Sequence, residues 1–229
     1  MGAAAEQARA EMAAGRDGPS GELRMSATVG FARHVSPALG AMLAQYPSLR
    51  LRLLVDDAPI DLINARVDLA VRFGRLADST WAARRLGALE WWLCASPEYL
   101  DRHGNPETPD ALLAHGWLGF AREGAGLLLD LRGPEGAARS LRVEPRIVSN
   151  NQLSIQQMCE AGLGVALMGS LDVQDALASG RLVRLLPQWT MGTLDIWAVT
   201  PQRDAQPAKV RQAIAALQRY LVTQPGVLE

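Results

Sequence analysis

An α/β protein of two lobes is predicted, on three observations. From residue 21 onward, apolar runs of strand length alternate with apolar residues at helical spacing, the order of an open parallel sheet covered by helices. No internal repeat or low-complexity tract interrupts that order, and two lobes accommodate it better than one. With 48% of 229 residues hydrophobic, the chain has ample material for a core, whether in one large domain or two small ones.

Residues 3–14 are rich in alanine, glutamate, glutamine and arginine, strong helix formers that stop at Gly15, Gly18 and Pro19. A helix this short is not stable alone, so it is either a frayed tail or the stub of a longer one. Leu23, Arg24, Met25 and Ser26 form a short strand, followed by a turn from Ala27 to Gly30. Val35, Leu39, Met42, Leu43 and Tyr46 recur at helical spacing and stop at Pro47. Leu49, Leu51, Leu53 and Val55 alternate as a strand with one wet face. Pro59 opens a helix carrying Ile60, Leu62 and Ile63, and residues 68–74 make a buried strand ending in a glycine turn. This strand–helix repetition is the unit of a parallel sheet.

The apolar run 91–95 ends at Ser96-Pro97, a capping serine followed by a first-turn proline, and Thr108-Pro109 repeats that arrangement. Strands follow at 117–120, 127–131 and 140–148. Ile155, Met158 and Cys159 mark a helix ending at Gly162. A buried strand at 163–168, a helix at 172–178 ending at Gly180, and strands at 182–185 and 194–199 come next. Val210, Ile214, Leu217 and Leu221 define a closing amphipathic helix. Lobe I is expected over residues 21–92 plus 193–229 and lobe II over 93–192. The double crossing makes a two-stranded hinge with a ligand cleft between lobes.

Composition narrows the function. With 23 basic against 24 acidic residues, no global field favours a phosphate backbone. Cys94 and Cys159 are too few for a disulfide scaffold and lack metal-ligand spacing, so neither metal nor cofactor is expected. No 18-residue apolar run spans a membrane, and Glu6, Arg9 and Glu11 interrupt any leader, so a cytoplasmic location is expected. His34, His103 and His115 are scattered and read as surface histidines; no P-loop or nucleophile elbow occurs. Arginine supplies almost all the basic charge, and Lys209, the single lysine, reads as compositional bias. Asp56-Asp57 reads as a solvated turn or a helix cap. The segment 26–30 sits between a strand and a helix, where free backbone N–H groups and a hydroxyl attract carboxylates, unless Ser26 or Thr28 is an ordinary cap.

Beyond these features, several motifs stand in a fixed order. Gly21-Glu22-Leu23-Arg24-Met25-Ser26-Ala27 leads to Ala44-Gln45-Tyr46-Pro47-Ser48-Leu49-Arg50-Leu51, then Asp61-Leu62-Ile63 and Val67-Asp68-Leu69-Ala70-Val71-Arg72-Phe73-Gly74. Leu93-Cys94-Ala95-Ser96-Pro97-Glu98-Tyr99-Leu100, Ser149-Asn150-Asn151 and Ala161-Gly162-Leu163-Gly164-Val165-Ala166-Leu167 follow. In order and spacing this set resembles the effector-binding domain of LysR-type transcriptional regulators, over about residues 21–221.

The resemblance implies two Rossmann-like lobes of the type-2 periplasmic-binding-protein kind around an inducer cleft. It implies no enzymatic activity, and a winged helix-turn-helix that is absent here, residues 1–20 being the end of the linker helix and a linker. Promoter DNA would then be bound only through that missing domain. Ala27, Thr28, Val29 and Phe31 match the family's ligand-carboxylate turn, and Arg72 and Phe73 its cleft edge. Ala95 and Ser96 match the crossing into the second lobe; Phe120, Asn150 and Val165 match positions facing the cleft. Asn151 replaces the usual acid, and Ala27 a second hydroxyl. For Arg72 a salt bridge to a nearby acid stands beside ligand contact. The resemblance further implies a homodimer pairing the first helix with the helix near Ile155 of a partner, a tetramer in the full-length regulator, and a small anionic effector. A solute receptor or an enzyme on the same lobes is the alternative.

Overall fold

The computed structural model describes residues 18–57, 61–76, 81–120, 126–201 and 206–228. The helix expected over residues 3–14 lies outside them. Two compact units divide the chain: residues 18–87 with 196–223, and residues 88–195 with 224–228. The segment 224–228, read from sequence as part of lobe I, groups with the second unit.

In the first unit, strand β1 (Gly21–Ala27) buries Leu23, Met25 and Ala27, as alternation requires. Helix α1 (Val29–Gln45) buries Phe31, His34, Val35, Ala38, Leu39 and Met42, a stripe at three- and four-residue steps. It ends as expected before Pro47. Strand β2 (Leu49–Val55) runs parallel to β1, with Leu51 opposite Leu23 and Leu53 opposite Met25. Strand β3 (Leu69–Phe73) runs parallel on the other side of β1. The helix expected from Pro59 is corrected where it is described: residues 62–66 form hydrogen-bonded turns. Asp61 causes this, because its carboxylate accepts the Ile63 and Asn64 N–H groups at 3.0 Å each, competing with a helical ladder.

Strand β4 (Trp81–Ala95) begins ten residues before its apolar run, its first half carrying the exposed Arg84 and Arg85. Helix α2 (Pro97–His103) starts where Ser96 Oγ accepts the Tyr99 N–H, as its sequence indicates. Thr108 likewise caps, but over a 3-10 helix, Pro109–Ala114. Strands β5 (Trp117–Phe120), β6 (Leu127–Arg132), β7 (Ala138–Val143) and β8 (Ile147–Ser149) follow. The single strand expected over 140–148 is therefore two. Pro145 supplies no N–H for a ladder, and the break lets β7 pair with β6 while β8 pairs with β5.

Helix α3 (Gln152–Glu160), strand β9 (Val165–Gly169), helix α4 (Ser170–Ala178) and strand β10 (Val183–Leu185) complete most of the second unit. Its sheet runs β10-β4-β9-β5-β8. Alternate residues of β4 feed two cores, Leu93 and Ala95 joining Tyr99 and Leu129, Trp92 and Cys94 joining Ile155 and Cys159. Strand β11 (Thr193–Pro201) pairs antiparallel with β3, and helix α5 (Ala208–Leu221) packs on α1. Strand β12 (Val227–Leu228) pairs with β4.

Gly162 ends α3 at φ +74, and its carbonyl accepts from Arg102 Nη2 at 2.8 Å. Gly162→Ala is expected to destabilise by about 1 kcal/mol, because alanine resists that conformation. Gly162→Asn should cost less, since asparagine tolerates it. Urea midpoints test both, and equal midpoints for alanine and glycine would count against the strain.

Candidate functional site

Because β1, β2 and β3 are parallel, their carboxyl ends lie along one edge of the first unit's sheet. That edge gathers Thr28 after β1, Asp56 and Asp57 after β2, and Arg72 and Phe73 at the end of β3. Open α/β sheets bind ligands at such an edge.

The turn differs from the expected cluster of free donors. Ala27 belongs to β1, and Thr28 is the N-cap of α1, its Oγ1 accepting the Phe31 N–H at 3.4 Å and its carbonyl accepting from Ala32 at 3.0 Å. The Val29 N–H donates to Asp57 Oδ1 at 2.9 Å. A carboxylate thus already stands at the positive end of α1, supplied by the chain itself. Gly30 lies in the first turn of α1, where an N–H has no carbonyl within the helix to bond, and the Thr28 hydroxyl proton remains available to donate. Of the acid pair, Asp57 accordingly caps a helix, but one that begins 28 residues upstream.

Arg72 is half-buried. Its Nη2 donates to Ser26 Oγ at 2.9 Å and its Nη1 to the Val71 carbonyl at 2.9 Å. Burial lowers the guanidinium from its usual range, while the charge of Asp56 acts against that. Arg72 remains a fixed cation with donors to spare. Ser26, wholly buried, is its positioning partner. Neither the Ser26 bond nor the Asp57 cap is visible as a local motif.

The remaining candidates separate by burial. Ala27 and Phe31 are core side chains, and Phe73 packs edge-on against Phe31 at 5.7 Å. Val29 is half-buried. In the second unit, Ala95 and Val165 are fully buried and the Ser96 hydroxyl is engaged by Tyr99. Phe120 and Asn150 are exposed, and they lie together because Phe120 is in register with Ser149. Val165 is in register with Trp117, at the opposite end of β5, about 10 Å away at the strand rise. Asn151 caps α3, its Oδ1 accepting the Ser154 N–H at 2.9 Å, which accounts for asparagine there without a ligand.

The histidines are not surface groups as a set. His34 is 7% exposed, with Nδ1 2.7 Å from the Tyr220 hydroxyl. His115 is half-buried beside the Tyr99 hydroxyl, its pKa lowered by burial and then by His103, which stacks on Tyr99 at 4.3 Å. Among the described residues no group of three or more His, Cys, Asp or Glu could hold a metal ion. No helix among them is long and apolar enough to cross a membrane.

Residues 16–222 match the family model of the LysR substrate binding domain. The chain is 37% identical over 207 residues to the HTH-type transcriptional regulator DmlR of Escherichia coli K12, covering 90% of this chain and 67% of that protein. It is 33% identical over 205 residues to the HTH-type transcriptional activator AaeR of the same organism, covering 89% and 66%. In structure it resembles the regulatory domain of CrgA, a LysR-type transcriptional regulator from Neisseria meningitidis, with a TM-score of 0.76 and 28% identity over 88% of this chain and 98% of that one. The chain spans about two thirds of the length of the curated relatives it matches.

Proposed function

Because this chain belongs to the LysR-type transcriptional regulators, as their substrate-binding domain, we propose that the carboxyl edge of its first sheet reads a small effector for a regulator of transcription. The observation that carries the reading is Arg72, a half-buried cation held by Ser26 beside the Thr28 turn. Its spare donors, the Thr28 hydroxyl and the Gly30 N–H suit an oxyanion. Asp57, which accepts the Val29 N–H, and the carboxylate of Asp56 stand at the same edge as acceptors. The effector is therefore a carboxylate that also carries a hydroxyl or amino group, because a bare anion would meet two acids and one cation. In the second unit, Phe120 and Asn150 are the accessible candidates.

Within the whole regulator, promoter DNA is bound by a helix-turn-helix outside these residues. The assembly is a homodimer, with tetramers in the full-length protein, acting in the cytoplasm and without enzymatic activity. The exposed face of α1, with Arg33, Ser36 and Gly40, is the surface we assign to self-association. This chain alone, with 23 basic and 24 acidic residues, should not shift promoter DNA. A sub-micromolar shift at low salt would refute that.

The binding test is a thermal-shift panel of hydroxy- and amino-carboxylates, with calorimetry on each hit. Thr28→Val keeps β-branching and removes the hydroxyl; Arg72→Gln removes the charge. Each is expected to weaken a hit by about ten- to a hundredfold, the range of a charge-assisted hydrogen bond. Binding by both variants as tight as by the parent would move the effector to other residues.

A further inference from the structure

Residues 224–228 follow α5, the closing helix of the first unit, and pack with the second. Val227 and Leu228 pair antiparallel with Leu89 and Ala88 of β4. The Gly226 carbonyl accepts from Ser170 Oγ at 2.6 Å and from the Glu90 N–H at 3.0 Å. The Pro225 carbonyl accepts from Gln174 Nε2 at 2.9 Å, so α4 grips the segment at two points one turn apart. Ser170 is fully buried, and its hydroxyl oxygen also accepts the Glu90 N–H at 3.2 Å.

Gly226 makes this seat possible. Its φ is +70, and a Cβ there would lie 2.5 Å from Ser170 Cβ and 2.8 Å from Trp92 Cζ2. Five residues thus engage β4 and α4 through a backbone conformation and a clearance that glycine alone supplies. The chain passes between the units at 87–88, at 195–196 and, through this segment, at 223–224.

We infer that residues 224–228 are a strap whose docking on β4 and α4 couples the stability of the two units. With the strap seated, unfolding or displacement of α5 pulls on hydrogen bonds of the second unit, so the units respond as one. With the strap released, the Glu90 N–H of β4 loses the Gly226 carbonyl and keeps only Ser170 Oγ, which has itself lost its acceptor, and the units respond separately. This holds whatever the effector is, because no residue of the proposed effector edge takes part.

The experiment compares the full chain with three variants: Gly226→Val, Ser170→Ala, and a chain ending at Thr223. The readouts are hydrogen exchange at individual amides and the calorimetric unfolding profile. In the full chain, one transition and a protected Glu90 amide are expected. In Gly226→Val and the shortened chain, the Glu90 amide should exchange about a hundredfold faster, while the Leu93 amide, between β9 and β10, keeps its rate. Their unfolding should separate into two transitions. Ser170→Ala, which removes the hydroxyl without a backbone clash, should fall between and serves if Gly226→Val does not fold. A single transition at the parent's midpoint in the shortened chain would overturn the coupling. A Glu90 amide that exchanges equally in all four proteins would overturn the docking itself.

Discussion

Folded protein treated with a thiol-alkylating reagent at pH 8 is expected to retain both cysteines unmodified, and to react fully once denatured. Cys94 on β4 and Cys159 on α3 are each fully buried. The Cys159 thiol donates to the Cys94 carbonyl at 3.3 Å and lies 3.4 Å from the Gly164 carbonyl. Burial pushes the Cys94 thiol from its ordinary value of 9.0 up to about 12, with Arg184 acting weakly against it. Burial pushes Cys159 up as well, reinforced by Cys94 and Glu160. Since the thiolate is the nucleophile, a rise to about 12 lowers the Cys94 thiolate population at pH 8 by roughly a thousandfold, before access is considered. Reaction then proceeds only through opening of the α3–β9 region. The linkage has a definite sign. The unfolded thiols ionise first, so the stability these groups contribute is complete below about pH 9 and is lost as pH rises toward 12. Rapid labelling of the folded protein, with both sites reacting at the rate of a free thiol, would sink this account.

Replacing the single lysine is expected to produce the largest loss of stability among charged-residue substitutions. Lys209 Nζ lies 2.7 Å from Asp68 Oδ2, the side chains only 19% and 14% exposed, and also donates to the Glu22 carbonyl. Asp68 Oδ2 in turn accepts the Arg24 N–H at 3.1 Å. The lysine therefore joins the start of α5 to β1 and to the entry of β3, a structural role that its rarity in the sequence did not suggest. Lys209→Met would leave the Asp68 carboxylate largely buried with no cation, at a cost of about 3 kcal/mol. Lys209→Arg should also destabilise, because a planar fork cannot replace an ammonium bonded to one oxygen on β1 and another just before β3. The double variant Lys209→Met with Asp68→Leu should recover most of the loss, since a buried pair contributes little net stability over an apolar substitute. Urea unfolding of these four proteins, with Asp68→Leu alone to close the cycle, measures the coupling. A Lys209→Met midpoint equal to that of the parent would remove the pair from any account of this lobe.

Legibility followed the range of the interaction. Ser96 before Pro97, Thr108 before Pro109 and the glycine at 162 announce helix ends because a cap bonds only three or four residues away. The alternation in β1 and the stripe on α1 are equally local, and the ordered motifs carried the family with them. The helix expected after Pro59 failed for a reason that is also local, the Asp61 carboxylate taking two N–H groups, yet it competes with an apolar pattern that looks helical. The site was legible only as a place. Thr28 and Arg72 are named by their motifs, but Asp57 reaches Val29 across 28 residues and Arg72 reaches Ser26 across 46. Strand register, not sequence spacing, sets those partners, as it sets Phe120 beside Asn150 and Val165 at the other end of β5. The strap is further still, with Ser170 and Gly226 separated by 56 residues and joined by one hydrogen bond. Periodicity and capping act through the chain's own neighbours and can be read from it. The partners of a buried polar group are chosen by packing, and only the folded chain brings them within reach.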